Sequence, residues 1–467
     1  MSVTSSGTDS LSPGLKSRHI RMLSIAGVIG AGLFVGSGHA IAEAGPAVLI
    51  AYIIAGGLVV LIMRMLAEMA VSTPDSGSFS TYAQKALGRW AGFTIGWLYW
   101  WFWVLVIPLE ANAAATILNA WFPQVAIWQF TLVITLLLTA SNLFSVKHYG
   151  EFEFWLALVK VVAIVAFLVL GCVAIFGLMP GSQVSGMSHL YDTGGFMPHG
   201  FGAVLAAILT TMFSFMGTEI VTIAAAESKN PGREISRATN SVIWRISLFY
   251  LLSILFIVSL VPWNTPALAK NGSYQTVLEL MNIPHARLIV DIVVLTAVCS
   301  CLNSALYTSS RMLYSLATRK DAPAAAAKTS NSGTPWVAVL SSTAAAFLAV
   351  FANYFAPAEV FDFLLASSGA IALLVYLVIS CSHLVMRKRM EARGEVLDYR
   401  MWLFPGLTYA VIVVIVGILC SMLFMPAHRS EIIATGILAL LVVLAGMVIH
   451  RRQRNNRSEP SLQENGI

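Results

Sequence analysis

The feature that most restricts this chain is the return, along its 467 residues, of apolar runs near the length of a membrane span. About 20 apolar residues carry an α-helix across the hydrocarbon core. Twelve windows of this kind are read, at 20–42, 46–70, 92–120, 127–146, 153–178, 201–226, 240–262, 286–312, 335–355, 358–385, 402–425 and 430–451. No stretch between them is long enough for a soluble domain. The expectation is an all-α polytopic membrane protein with one transporter-sized domain at 20–451, a polar tail at 1–19 and a second tail at 452–467. Composition agrees, with 58% apolar and 11% charged residues and a mean hydropathy of +0.79, against about a quarter charged in soluble proteins.

The tail at 1–19 is rich in Ser, Gly and Thr and leads into an apolar run without a small-residue cleavage pattern, so a removed signal peptide is not expected. Cys172, Cys299, Cys301, Cys381 and Cys420 all fall within expected spans, which excludes a secreted disulfide framework, and they lack metal-ligand spacing. The net charge of +6 is distributed by topology. With the N-terminus in the cytoplasm, Lys16, Arg18, Lys85, Arg89, Lys147, Lys229, the Arg387–Arg389 cluster and the tail arginines Arg451, Arg452, Arg454 and Arg457 share one side. Only Lys270, Arg287 and Arg429 remain on the other. This positive-inside asymmetry puts both termini in the cytoplasm and removes nucleic acid as a partner.

The first span contains AGVIGAGLFVGSG, with Gly27, Gly30, Gly32 and Gly36 where a helix should be regular. A dinucleotide loop needs G-x-G-x-x-G between a strand and a helix, and a phosphate loop needs Gly-Lys followed by Ser or Thr. Neither is present. Two readings stay open: a small-residue seam for helix packing, or an unwound segment. Each glycine inside a helix costs about 0.5–1 kcal/mol relative to Ala, which favours the second where four cluster. Freed backbone at membrane depth must line a cavity or be buried in protein. Its bare N–H groups and the following helix dipole suit a carboxylate.

Such a break should have a counterpart at the matching place of a repeat. Span six supplies FSFMGTEIVTIAAAE, with Gly217 at mid-depth beside Ser214, Thr218 and Glu219. Spans one to five (20–178) and six to ten (201–385) are then two inverted halves, with accessory helices at 402–451. Glu219, Glu110 next to Pro108 on span three, and Lys160 on span five are charges at depth, which are functional candidates by default. Lys160 is the only cation between Phe154 and Val169, a setting suited to proton exchange, although a lysine near an interface also snorkels. Arg64 and Glu68, spaced i,i+4 near the cytoplasmic surface, are expected to pair with each other or with neighbouring loops. Asp291, near the outer end of span eight, is read as solvated. Ser300, Ser304 and Thr308 form a polar face on that span, for helix-to-helix hydrogen bonding or for a pathway wall.

The runs IGAGLFVGSG, AEAGP, MRMLAEMAVSTPDSGSFSTYA, GFTIGWLYWWFWVLVIPLEAN, FMGTE and CLNSALYTSSRMLYSLATRKDAP resemble the amino acid–polyamine–organocation transporters over essentially the whole chain. Within that superfamily the chain is most similar to bacterial 4-aminobutyrate (GABA) permeases. The resemblance implies a LeuT-like 5+5 inverted repeat in the bacterial cytoplasmic membrane. It implies that the backbone of Ile29, Gly30, Ala31 and Gly32 binds the substrate carboxylate, while carbonyls around Phe213, Met216 and Gly217 accept from its ammonium. Phe213 and Phe215 match occluding gates, Glu219 an acid of proton-sensitive gating, and Lys160 a lysine standing in for the sodium of sodium-coupled relatives. GABA is longer than an α-amino acid, and Glu110 is the candidate to meet its displaced ammonium, with a packing role as the alternative; Ser304 is a further candidate substrate contact.

The resulting expectation is a secondary transporter importing GABA or a related small amino acid such as proline, driven by the proton gradient. It needs no cofactor or metal and no obligatory protein partner, and meets only substrate, protons and lipid. A membrane-embedded enzyme is disfavoured because HExxH, a nucleophile elbow and a convergent histidine cluster are missing from the sequence. A channel would need a filter ring, and two broken spans favour alternating access instead.

Overall fold

The computed structural model describes residues 17–26, 29–75, 77–144, 146–226, 230–355, 357–425 and 429–458. Lys16, Gly27 and Lys229, named above, lie outside them. Among the described residues all regular structure is helical. Nine helical stretches are long and apolar enough to cross a membrane, and Ile127–Leu143 and Trp336–Phe347 are shorter apolar helices. The stretch Gly32–Ser72 holds the later part of the first expected span and the whole of the second, so among the described residues a helix falls within each of the twelve windows.

The first half runs α1 (Ser17–Ala26), a break, a π-helical turn at Gly32–Gly36, α2 (Ser37–Ala44), α3 (Val48–Ser72), α4 (Ser78–Leu87), α5 (Arg89–Trp121), α6 (Ile127–Leu143) and α7 (Val146–Ile175). The second half runs α8 (Gly200–Phe215), a break, α9 (Ile220–Ala226), and α10 (Pro231–Arg245), which passes through a π-helical segment into α11 (Ser253–Leu260). The short helices α12 (Ala267–Lys270) and α13 (Ser273–Leu280) lead to α14 (Ala286–Thr318), α15 (Trp336–Phe355) and α16 (Pro357–Ala392), and α17 (Gly406–Leu423) and α18 (Arg429–Ser458) follow. The α4, α12 and α13 helices were not legible as elements, because each is too short to show a span-length apolar run.

The two broken helices sit at the centre. The α8 helix packs on α2 and on the π-helical turn, and the long α5 and α14 pack along one another beside them. Most of the α8–α9 stretch is buried, whereas α7, α17 and α18 turn Trp155, Val162, Val169, Val413, Leu440 and Leu441 outward. A shell with exposed apolar side chains is what lipid contact requires, and it leaves the polar groups to the interior.

Of the polar expectations, the loop alternative holds for Arg64 and Glu68, and that for Asp291 is corrected. Arg64 does not pair with Glu68: its guanidinium lies 3.8 Å from the centre of the Trp402 ring and donates to the Tyr399 hydroxyl at 2.9 Å. Glu68, fully buried, instead meets Arg387 at 2.8 Å and His383 at 3.2 Å and accepts from the Met401 amide at 2.6 Å. A wide aromatic pair at the end of α3 offers Arg64 cation–π contact, and a buried carboxylate needs more partners than one neighbour on its own helix supplies. Asp291 is buried rather than solvated, accepting from the Trp121 indole N–H at 3.2 Å.

Candidate substrate site

A helix that restarts after a break leaves its first amides without a partner in the preceding turn. Ala31 is the first helical residue after the break in span one, and its N–H points into the protein. The Glu110 carboxylate accepts from it with both oxygens, at 3.0 and 3.2 Å. Glu110 is 1% exposed. Gly30, immediately before, has to be glycine for this approach: a Cβ there would stand 2.6 Å from Glu110 Oε1 and 2.7 Å from Cys301 Cβ.

Span six is built by the same logic. The α8 helix ends at Phe215, Met216 is extended, and Gly217 takes a φ of +100°, a conformation open to glycine but strained for other residues. The freed Gly217 amide donates to both oxygens of Glu219, at 3.0 and 3.1 Å. Glu219 also accepts from the hydroxyls of Tyr99 at 2.9 Å and Tyr376 at 3.5 Å. Beside it the buried Arg245 donates to the Thr218 hydroxyl at 2.7 Å. Each break is thus closed by a carboxylate of the chain itself.

The breaks touch directly. The Ser214 hydroxyl donates to the Gly32 carbonyl at 2.8 Å, across the line where α8 meets the π-helical turn. Between them, Gly32, Phe213, Ser214, Met216, Glu110 and Cys301, with Phe102, Trp103 and Val106 of α5, enclose a cavity of about 10 Å³. That is room for a single water. A larger cavity of about 440 Å³ lies towards α12 and α13, lined by Phe34, His39, Asn112, Lys270, Gln275 and Asp291 among others.

Of the residues singled out from the sequence, Gly32, Glu110, Phe213 and Met216 line the small cavity, and Ile29 and Gly30 form the adjoining break, with Ala31 the first helical residue after it. The Phe213 carbonyl already accepts from the Met216 amide at 3.2 Å. Phe215 faces elsewhere, its ring against Tyr52 and Tyr250 with centroids 5.8 and 4.7 Å away. Ser304 does not line the cavity; its hydroxyl meets that of Tyr149 at 3.2 Å, and neighbouring Ser300 donates to Glu153. Through Ser300 and Ser304 the polar face of α14 therefore hydrogen-bonds to α7. Lys160 is fully buried and does not snorkel. It interacts electrostatically with Glu153, Glu110, Cys299 and Cys301. Glu110 stands on the amide expected for the substrate carboxylate, not at a distance from it as an ammonium acceptor would.

Glu153, Arg245 and the α5 aromatics were missed. Glu153 is legible in retrospect, since it and Lys160 are seven residues apart and share a face of α7. Arg245 was hidden because a basic residue at the start of an apolar span reads as an interface charge.

Two central helices broken at facing points, buried charges around them and an exposed apolar shell define a membrane transporter. The chain belongs to the amino acid permease family, whose family model matches residues 19–461. It is 67% identical over 447 residues to the gamma-aminobutyric acid permease of Escherichia coli strain K12, covering 96% of each chain. It is 66% identical over 445 residues to a probable GABA permease of Pseudomonas aeruginosa, covering 95% of this chain and 94% of the relative. A crystal structure of the Eremococcus coleocola manganese transporter shares the LeuT-like fold, with a TM-score of 0.54 at 14% identity over 96% of this chain and 98% of the other.

Proposed function

We propose that this permease imports 4-aminobutyrate and related small amino acids across the bacterial cytoplasmic membrane by proton symport with alternating access, with both termini in the cytoplasm. The observation that carries the reading is the meeting of the two broken spans, where the helix restarting at Ala31–Gly32 touches the end of α8 before the Met216–Gly217 break, beside the buried Glu110 and Lys160. Relatives at 66–67% identity that bear the name of GABA permease support the substrate.

In this reading the amides after the first break bind the substrate carboxylate, since they have no backbone partner in a preceding turn and stand at the positive end of a helix, where Ala31 already holds the Glu110 carboxylate. The Met216 carbonyl, on extended backbone, accepts from the ammonium, and the Phe213 ring closes over the bound substrate. Lys160 exchanges the coupled proton within its cluster of acids and thiols. Glu219, tied to Gly217, Tyr99 and Tyr376, reports protonation to the second break and the helices packed on it. The cavity of about 10 Å³ then belongs to a closed form that must open to admit an amino acid.

The test is uptake into proteoliposomes with an imposed pH gradient and a panel of labelled amino acids. Accumulation of 4-aminobutyrate that collapses with a protonophore is expected. Accumulation indifferent to the gradient refutes symport, and preference for another amino acid refutes the substrate. Counterflow, in which internal unlabelled substrate speeds labelled entry, separates this carrier from a channel.

A further inference from the structure

We propose that Glu110 is a tethered internal competitor of the substrate: its carboxylate occupies the subsite for the carboxylate of an incoming amino acid and must be displaced before that amino acid binds. The inference rests on the reading of the first break as the carboxylate subsite.

Three observations carry it. Both Glu110 oxygens accept from the Ala31 amide, at 3.0 and 3.2 Å, the first free donor after the break. The space beside them is a cavity of about 10 Å³, so a second carboxylate cannot sit there while Glu110 remains. Gly30 and Cys301 close the other side of the side chain, and a Cβ at Gly30 would stand only 2.6 and 2.9 Å from its two oxygens. The carboxylate therefore fills a cradle shaped to its own size.

Glu110 also has an alternative counter-charge. Lys160 lies near enough to interact with it electrostatically, and so do the thiols of Cys299 and Cys301. An arriving substrate carboxylate takes the Ala31 amide, and Glu110 moves towards the Lys160 ammonium. The exchange keeps the amide and the displaced anion each hydrogen-bonded or ion-paired, which a buried charge requires. It also links occupancy of the site to the state of Lys160 without direct contact between substrate and lysine.

A resident competitor weakens apparent affinity, so its removal acts in the opposite sense from removal of a substrate contact. Equilibrium binding of labelled 4-aminobutyrate to purified full-length protein in lipid nanodiscs measures this with Glu110→Gln, which keeps shape and loses charge, and Glu110→Ala, which empties the cradle. Both are expected to bind about tenfold tighter than wild type, the scale of one hydrogen bond to a charged group, while accumulation driven by a pH gradient falls. Unchanged or weaker binding in Glu110→Gln overturns the proposal. Glu110→Asp keeps the charge but is one methylene shorter, and is expected to bind tighter as well. If all three fail to fold, Glu110 is a fixed structural cap and the proposal is wrong. A wild type that binds another zwitterionic amino acid in place of 4-aminobutyrate overturns the substrate reading alone, and the same ratios are then taken with that amino acid.

Discussion

The approach of the two broken helices at Gly32 gives a perturbation whose size follows from the coordinates. In Gly32→Ala the added Cβ stands 2.8 Å from Ser214 Cα, 2.9 Å from Ser214 Oγ and 3.1 Å from Phe213 Cδ1. Ordinary carbon–carbon contact is about 3.5–4.0 Å, and the nearest atom is backbone, so rotation of a side chain cannot relieve the clash. The α8 helix has to recede by roughly 1 Å, which stretches the Ser214 to Gly32 hydrogen bond beyond its 2.8 Å. Overpacking of this kind costs about 1–3 kcal/mol, and a net hydrogen bond about 0.5–1.5 kcal/mol. If the free protein can part at this contact while bound substrate requires the contact restored with Glu110 displaced, a penalty of about 2–4 kcal/mol weakens binding by roughly 30- to 1,000-fold. Equilibrium binding to purified protein measures the loss, with thermal unfolding as a check that the helical bundle persists. Gly57→Ala is the matched control, because a Cβ there meets nothing within 4 Å. Should Gly32→Ala bind substrate as well as Gly57→Ala does, the two breaks do not close on the substrate, and the site lies elsewhere.

Lys160→Ala is expected to abolish accumulation against a gradient while exchange of substrate across the membrane continues; uptake that still follows an imposed pH gradient would assign Lys160 to packing. Ser304→Ala should leave substrate affinity within about twofold and lower thermal stability slightly, since its hydroxyl faces Tyr149, and a tenfold loss of affinity in a binding assay would contradict that geometry. Glu68→Gln leaves Arg387 without its buried counter-charge and with only the exposed Glu391, a change that costs up to about 3–5 kcal/mol when one member of a buried pair is removed. Its melting temperature in nanodiscs should drop clearly with little change in affinity, and an unaltered melting curve would refute the structural role. Thr218→Val removes the hydroxyl that accepts from Arg245; slower transport with normal binding is expected, whereas an unchanged turnover rate would exclude this cluster from the gate.

Sequence alone determined the class, the number of spans and the position of both breaks. It could do so because crossing a bilayer demands about 20 consecutive apolar residues per helix, and because Gly30, Gly32 and Gly217 weaken a helix wherever they stand. Isolated charges at depth, Glu110, Lys160 and Glu219, stood out for the same local reason. Which group meets which was decided only by the tertiary structure. Nothing in the spacing of α5 brings Glu110 to the Ala31 amide 79 residues away, and nothing in α3 sends Glu68 to His383 and Arg387 in place of Arg64. Ser304 and Phe215 read as site residues, yet the rotation of α14 turns the first towards α7 and the packing of α8 turns the second towards Tyr52. A helix fixes the angular spacing of its side chains, but its rotation and depth are set by neighbours distant in sequence. A partner's identity follows from that rotation.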